Sequence, residues 1–315
     1  MSLETLNYPP LVAALSLGSY GLLPSAKNVL LPWTTLKVVH LAVYGFSLMS
    51  VSRPGRYDGQ DPKDTTGEGA DSMAKMSTGK RGRSLVTPSG WAFIIWAPIF
   101  LGEGIMVASL LALQESSPLA PLIQQITGPY VVAQLFQSLW AASFRPKYKG
   151  LYKVISAMNL SGIAYSLSFC HGVFTKTANT KSYSTAQYLL FLLPLSLHFG
   201  WTTAAAVVNI NGMVAMGDNV SSRTVAWVGH ASVVGAAALG AWITTTRSAP
   251  VYGGVIAWAL SAVASGMKTR IHETSKEDPD RVGVYGATTQ RNLALVGAAI
   301  SASASLYTAV SLIKK

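Results

Sequence analysis

Among the few ionisable side chains inside the long apolar runs of this chain, four share a similar predicted depth: Lys37, His40, Glu103 and His198. A carboxylate at bilayer depth costs several kcal/mol unless it is neutral, paired or facing a cavity. Counted along the helices from one predicted membrane face, the four lie within a layer about 6 Å thick. They predict either an internal polar site with a Glu103 to Lys37 ion pair, or one structural salt bridge beside two satisfied histidines.

The two histidines of this polar layer are also candidate axial ligands for haem iron, since imidazole is a common ligand there. No CxxCH motif accompanies them, and the single cysteine, Cys170, excludes CxxC and zinc-finger chemistry. The chain contains no Walker loop, dinucleotide fingerprint, nucleophile elbow or HExxH motif. The sequence therefore predicts a binding protein with no metal site and no catalytic residues.

Aromatic side chains form a second theme. Most tryptophans lie near span ends and are typical of interfacial anchors. Trp96, Trp140 and Trp201 lie deeper or beside polar neighbours, so they are candidates for the wall of a pocket for a flat apolar ligand. Polar amides inside the spans, such as Gln134 and Gln137, are expected to join helices by hydrogen bonds.

The composition indicates that these groups lie in a lipid bilayer rather than in water. Half of the 315 residues are apolar and 12% are charged, and the apolar residues gather in runs of about 20, the length that crosses a bilayer. The net charge of +11 is spread over short loops, which argues against nucleic acid as a partner. We predict an all-α integral membrane protein with eight transmembrane helices, near 29–51, 89–113, 128–144, 151–173, 186–209, 224–246, 250–267 and 293–313.

Lysine and arginine separate the two faces of this arrangement, with 17 on one face, six on the other and Lys37 within the first span. Because cytoplasm-like faces collect positive charge in short loops, both termini are expected on the non-cytosolic, non-matrix face. Residues 8–24 are apolar but interrupted by proline and glycine, so we expect an interfacial or re-entrant segment within a separate region 1–28.

The predicted loop 53–88 mixes seven bases with five acids and several glycines. This composition is typical of a solvated linker, and the functional alternative is a lid or docking segment. The last three spans, in 210–315, are rich in glycine, alanine and serine, which favours close helix packing over a pore or a partner-binding face.

Three segments resemble the TspO/translocator protein (tryptophan-rich sensory protein) family, in its longer form with extra C-terminal helices. TPSGWAFIIWAPIFLG at 87–102 is similar to the start of the family's second helix. QSLWAASF at 137–144 resembles its third helix, and LPLSLHFGWTTAAAVVN at 193–209 resembles its fifth. The resemblance covers residues 29–209.

This resemblance implies a five-helix bundle over 29–209 that encloses a pocket for porphyrins or sterols, capped by the loop 53–88. It also implies that the first, second and fifth helices are neighbours, which would bring the polar layer together. The implied pocket positions are Trp91, Phe93, Trp96, Trp140, Phe144, Trp201, Ala205 and Asn209.

These observations favour a membrane protein that binds, moves or senses a tetrapyrrole or sterol-like molecule, with porphyrin or haem as the candidate cofactor. The alternatives are an accessory subunit of a large organellar membrane complex and an ion-coupled transporter that uses Glu103. The expected location is a mitochondrial, plastid or other internal membrane. Besides lipid, the expected partners are a second copy of the chain or the subunits of such a complex.

Overall fold

The computed structural model describes residues 7–57, 79–178, 184–277 and 283–314, and within them every long element is a helix. The predicted all-α architecture is therefore confirmed. Six of the helices are long and apolar enough to cross a membrane. The nine helices of the described residues are α1 Pro9–Ala26, α2 Trp33–Val51, α3 Trp96–Ala112, α4 Ala120–Ser143, α5 Ile155–Ala178, α6 Thr185–Ala215, α7 Ser222–Thr246, α8 Pro250–Glu277 and α9 Gly283–Ile313.

The six candidate spans are α2, α3 with the preceding 3-10 turn, α6, α7, most of α8 and most of α9. The helices α4 and α5 occupy two further predicted spans but carry more polar residues. In α4 those residues, Thr127, Gln134, Gln137 and Ser138, are buried. A helix enclosed by protein needs no apolar surface toward lipid, so the count of eight spans stays a prediction.

The chain divides into two compact units. Unit 1 contains residues 1–56 and 95–203, and unit 2 contains residues 57–94 and 204–315. The boundary falls inside α6, between Thr203 and Ala204, and a second boundary separates Ile94 from Ile95. The prediction of three regions bounded at 28 and 209 is not tested by this division and stays a prediction.

Unit 1 is built around α4, which packs against α1, α2 and α5. The helix α3 packs against α2 and against the first turns of α6. Gly128 allows the closest approach, because a Cβ at this position would lie 2.0 Å from the Ala26 carbonyl oxygen. A glycine is therefore required where the end of α1 meets α4.

The helix α1 forms where an interfacial segment was expected. Pro9 and Pro10 occupy its first positions, where a missing N–H is tolerated. At 18 residues the helix is about 27 Å long. It buries one side, which includes Val12 and Ser16, against α4 and α5 of the same unit.

The start of α1 is fixed beside the connection between α4 and α5. Lys147 Nζ donates to the Asn7 carbonyl oxygen over 2.5 Å, and Tyr148 OH donates to Asn7 Oδ1 over 2.6 Å. Burial raises the pKa of Tyr148 to about 12, with nearby Arg145 acting in the opposite direction, so its hydroxyl stays a donor. The start of α1 thus lies beside the connection between α4 and α5, and the side of the membrane that each terminus faces stays a prediction.

Unit 2 contains α7, α8 and α9, the second part of α6, and a segment before α3. That segment corresponds to the end of the predicted loop 53–88, whose residues 58–78 lie outside the described part of the chain. Leu85 and Val86 are buried, and Leu85 packs with Met267 and Ala287. Residues 84–89 are therefore part of a protein core, which corrects the expectation of a solvated linker for this part of the loop.

Candidate intramembrane site

The carboxylate of Glu103 on α3 is the centre of a buried hydrogen-bond network in unit 1. His198 Nδ1 on α6 lies 2.8 Å from Glu103 Oε1, and Gln134 Nε2 on α4 donates to Oε2 over 3.0 Å. All three residues are at most 1% exposed. The network therefore joins α3, α4 and α6 through both oxygens of one acid.

This network differs from the predicted ion pair. Lys37 Nζ donates to the Leu111 carbonyl oxygen over 2.8 Å, near the end of α3, and lies above the Trp33 ring. A lysine there interacts favourably with the last carbonyls of a helix. The partner of Glu103 is therefore His198 rather than Lys37, which corrects the ion-pair interpretation.

His40, the remaining member of the predicted layer, contacts α4 instead. Its Nε2 lies 3.1 Å from Thr127 Oγ1, and that hydroxyl donates to the Ile123 carbonyl oxygen over 2.7 Å. Because the hydroxyl proton is used in this way, His40 Nε2 is the donor to Thr127. The His40 ring also stacks on Tyr130 at 4.8 Å and 7°. His40 thus has a packing and hydrogen-bonding role of its own.

Four aromatic residues of unit 1 form what we name the aromatic cluster: Trp96, Trp140, Phe144 and Trp201. Trp96 stacks against Trp140 with ring centroids 5.7 Å apart and meets Trp201 edge-on at 6.1 Å. Trp140 stacks against Phe144 at 5.5 Å. Except for the half-buried Trp96, each member is at most 3% exposed.

The aromatic cluster and the polar network are contiguous. The rings of Trp96 and His198 lie 5.9 Å apart at 74°, an edge-on contact. On α4, Gln134, Gln137 and Trp140 are spaced three residues apart in turn, so they share one side of the helix. Three of the helices therefore supply both flat apolar surfaces and hydrogen-bonding groups to the same region.

Several polar atoms in this region have no hydrogen-bond partner within the described residues. They are His198 Nε2, Trp140 Nε1, Gln134 Oε1 and both amide atoms of Gln137. Buried polar groups are almost always hydrogen-bonded to protein, water or ligand. These atoms mark the places where a water molecule or a bound small molecule would be held.

The other four predicted pocket residues belong to unit 2. Trp91 meets Trp258 edge-on at 4.6 Å and is 44% exposed, and Phe93 lies beside it in the 3-10 turn Gly90–Ile95. Ala205 and Asn209 lie on the second part of α6, where Asn209 Nδ2 donates to the Ala205 carbonyl oxygen over 3.1 Å. The resemblance grouped these four with the aromatic cluster, and their place in one pocket stays a prediction.

Sequence reasoning did not assign Gln134, Gln137 or Arg56 to the site. The spacing of the two amides on α4 carried a signal, because polar residues on one side of an apolar helix usually face a partner. Arg56 gave no such signal. It follows α2 in the chain, and only the fold places its guanidinium carbon 5.4 Å from the centre of the Trp140 ring.

The fold and the site together define a helical integral membrane protein with an internal aromatic and polar site. A sequence model of the TSPO-like protein family matches residues 68–300, which is well over half of the chain. The chain therefore belongs to the TSPO-like protein family. Neither a curated protein nor a solved structure matches it.

The family match covers a different part of the chain from the resemblance seen in the sequence. The resemblance was placed on residues 29–209, whereas the family match begins after α2 and extends into α9. The helices α7 and α8 and most of α9 thus lie inside the region that defines the family.

Proposed function

We propose that this chain binds a flat hydrophobic small molecule, of the tetrapyrrole or sterol type, at the aromatic cluster of unit 1, and holds or moves it within the membrane. The observation that carries the proposal is the stack of Trp96, Trp140 and Phe144 next to buried polar atoms that have no hydrogen-bond partner among the described residues. Membership of the TSPO-like family supports a membrane protein that binds small molecules.

The aromatic cluster suits a planar ligand for a physical reason. Indole and phenyl rings pack against flat apolar molecules over a large area and favour offset-stacked or edge-on contacts. In the cluster, Trp96 and Trp140 are inclined by 28° and Trp140 and Phe144 by 23°, so their faces are nearly parallel. A planar molecule aligned with these faces would contact two or three rings at once.

The polar atoms beside the rings would orient such a ligand. Trp140 Nε1 is a donor only, whereas the Gln137 amide offers a donor and an acceptor. Both residues are at most 3% exposed and lie one helical turn apart on α4. Ligand sites typically combine apolar walls with a few such groups, and a ligand oxygen or nitrogen would satisfy them.

The direct test is a titration of purified protein in lipid nanodiscs with protoporphyrin IX, and in parallel with cholesterol. Porphyrin absorbance and tryptophan quenching report the first ligand, and competition with the porphyrin reports the second. Trp140→Leu should weaken binding about three- to tenfold, since it removes a stacking partner. The matched control is Trp242→Leu, because Trp242 is 61% exposed on α7 and lies in unit 2.

Equal affinities for wild type, Trp140→Leu and Trp242→Leu would contradict the assignment of the site. Failure of both ligands to bind would contradict the proposed function and favour the alternative of an accessory subunit. Native gels would then decide, because a complex subunit migrates at the mass of its assembly. The organellar location and any transport direction stay predictions.

A further inference from the structure

One side of α4 carries a row of buried polar side chains that runs along much of the helix. The members follow one another at intervals of three or four residues, so they share a side of the helix. Each is at most 3% exposed. From first to last the row rises about 20 Å along the helix axis, about two thirds of the hydrocarbon thickness of a bilayer. The members of this polar row are Thr127, Tyr130, Gln134, Gln137 and Trp140.

Neighbouring helices of unit 1 add buried titratable groups to the polar row. His40 on α2 bonds the hydroxyl of Thr127, the first member. Further along the row, Glu103 on α3 accepts a hydrogen bond from Gln134 and lies beside His198 on α6. The row thus leads from a buried histidine at one end to a buried pair of acid and histidine near its middle.

The titratable groups that face Glu103 come from four helices around it. Helix α2 supplies Tyr44, α4 supplies Tyr130, α5 supplies Cys170 and α6 supplies His198. Tyrosine and cysteine side chains are ordinarily uncharged at neutral pH. Among these four groups, imidazole is the one that takes up a proton near neutral pH. His198 can therefore balance the charge of the acid.

His198 can take up this proton without losing a hydrogen bond. An ionised carboxylate only accepts, so Nδ1 donates to Glu103 Oε1, and Nε2 has no partner among the described residues. A hydronium ion at Nε2 can transfer its proton to the ring and leave as water. The pair then changes from one negative charge to neutral, and release of the proton reverses the step.

Other polar atoms lie on either side of this pair and are also without a partner in the described part of the chain. Toward α2 they are the Tyr130 hydroxyl and His40 Nδ1, and toward the end of α4 they are the Gln137 amide and Trp140 Nε1. Buried polar groups almost always bond protein, water or ligand. Water molecules bridging these atoms would connect the members of the polar row by hydrogen bonds.

We propose that unit 1 conducts protons across the membrane along the polar row, and that the pair of Glu103 and His198 holds each proton on its way. Chains of acids and histidines are known routes of protons through membrane proteins. The Tyr130 hydroxyl both donates and accepts, and the amides of the row orient water between the titratable groups. Conduction along this row does not depend on a ligand at the aromatic cluster.

The test measures proton entry into liposomes. Purified full-length protein is reconstituted into phosphatidylcholine liposomes that contain pyranine, a dye that reports the internal pH. A potassium diffusion potential set with valinomycin drives protons inward, and liposomes without protein give the background. The wild-type protein should acidify the interior faster than the background. A sodium-sensitive dye should show no added entry of sodium, which separates a proton path from a general leak.

Two variants locate the path. Glu103→Gln removes the charge but keeps an acceptor oxygen, and it should lower proton entry to the background. Tyr130→Phe removes a hydroxyl that bonds none of the described residues, so it should fold normally and slow proton entry several-fold. The matched control is Tyr252→Phe, a fully buried tyrosine on α8 in unit 2, which should keep the wild-type rate. Size-exclusion profiles and thermal unfolding check that each variant is folded.

The outcomes separate this inference from the proposed function. Equal acidification with wild-type protein and without protein would overturn the inference and leave the proposed function intact, and this result needs no variant to fold. A wild-type rate in Glu103→Gln would overturn the assignment to the buried pair. Equal rates in Tyr130→Phe and Tyr252→Phe would overturn the path along α4.

Discussion

Glu103 and His198 are 95 residues apart in the chain, yet Oε1 of the acid lies 2.8 Å from Nδ1 of the imidazole and both side chains are fully buried. A buried carboxylate has a large desolvation cost, which only close partners offset. His198 and Gln134 occupy its two oxygens. The pair therefore fixes α3 against α6 at the centre of the proposed ligand site.

Removal of this acid should destabilise the protein. Glu103→Ala leaves the Gln134 amide and the His198 ring without their buried partner, which we expect to cost about 3 to 5 kcal/mol. Glu103→Gln keeps one acceptor oxygen and should cost about half as much. Thermal unfolding in detergent measures both changes, with Glu115→Ala as the control because Glu115 is exposed in the connection after α3.

An unfolding midpoint for Glu103→Ala that equals the midpoint of Glu115→Ala would contradict this structural role. It would then favour a functional reason for an acid at this depth, such as the ion coupling considered from the sequence.

Most helices could be predicted from the sequence, because long apolar runs leave few alternatives to a membrane helix. Residues 8–24 form most of the helix α1 despite their prolines, for a definite reason. Pro9 and Pro10 lie in the first turn of α1, where proline is tolerated, and Pro24 lies in its last turn. The prolines thus lie near the ends of the helix rather than at its middle.

The site could be predicted only in part. The sequence indicates how deep a residue lies along a membrane helix, but it does not indicate which neighbouring helix the side chain faces. Depth placed Glu103 level with His198, and the two are bonded. Depth also placed Lys37 in that layer, but its long side chain reaches the Leu111 carbonyl near the end of α3 instead. The separation of Trp91 from Trp96 between the two units depends on the 3-10 turn Gly90–Ile95, which apolar periodicity cannot reveal.

The position of α1 predicts which side of the membrane the start of this helix faces. Asn7 bonds Lys147 and Tyr148, so the start of α1 should face the same side as the connection between α4 and α5. Cysteine labelling with a membrane-impermeant maleimide measures this, and the native Cys170 is buried and should give little background. Tyr8→Cys should react from the same side as Lys149→Cys.

Glu115→Cys provides the reference for the opposite side, because the connection between α3 and α4 lies at the other end of α4. The residues compared all belong to unit 1 and are exposed. Labelling of Tyr8→Cys from the same side as Glu115→Cys would contradict this position for the start of α1.

The segment before α3 packs so closely on α8 that replacement of Gly266 should displace it. Ser89 N donates to the Ala262 carbonyl oxygen on α8 over 2.9 Å, and a Cβ at Gly266 would lie 2.5 Å from the Thr87 carbonyl oxygen. Gly266→Ala should therefore displace residues 84–89, whose non-helical backbone is tolerated in a membrane protein only while protein covers it. Hydrogen exchange of the Ser89 amide measures the change and should become faster.

Gly254→Ala is the matched control on the same helix, because its Cβ would meet only Ser305 Oγ at 3.7 Å, an ordinary contact. Equal exchange rates in the two variants would contradict a fixed position of this segment against α8.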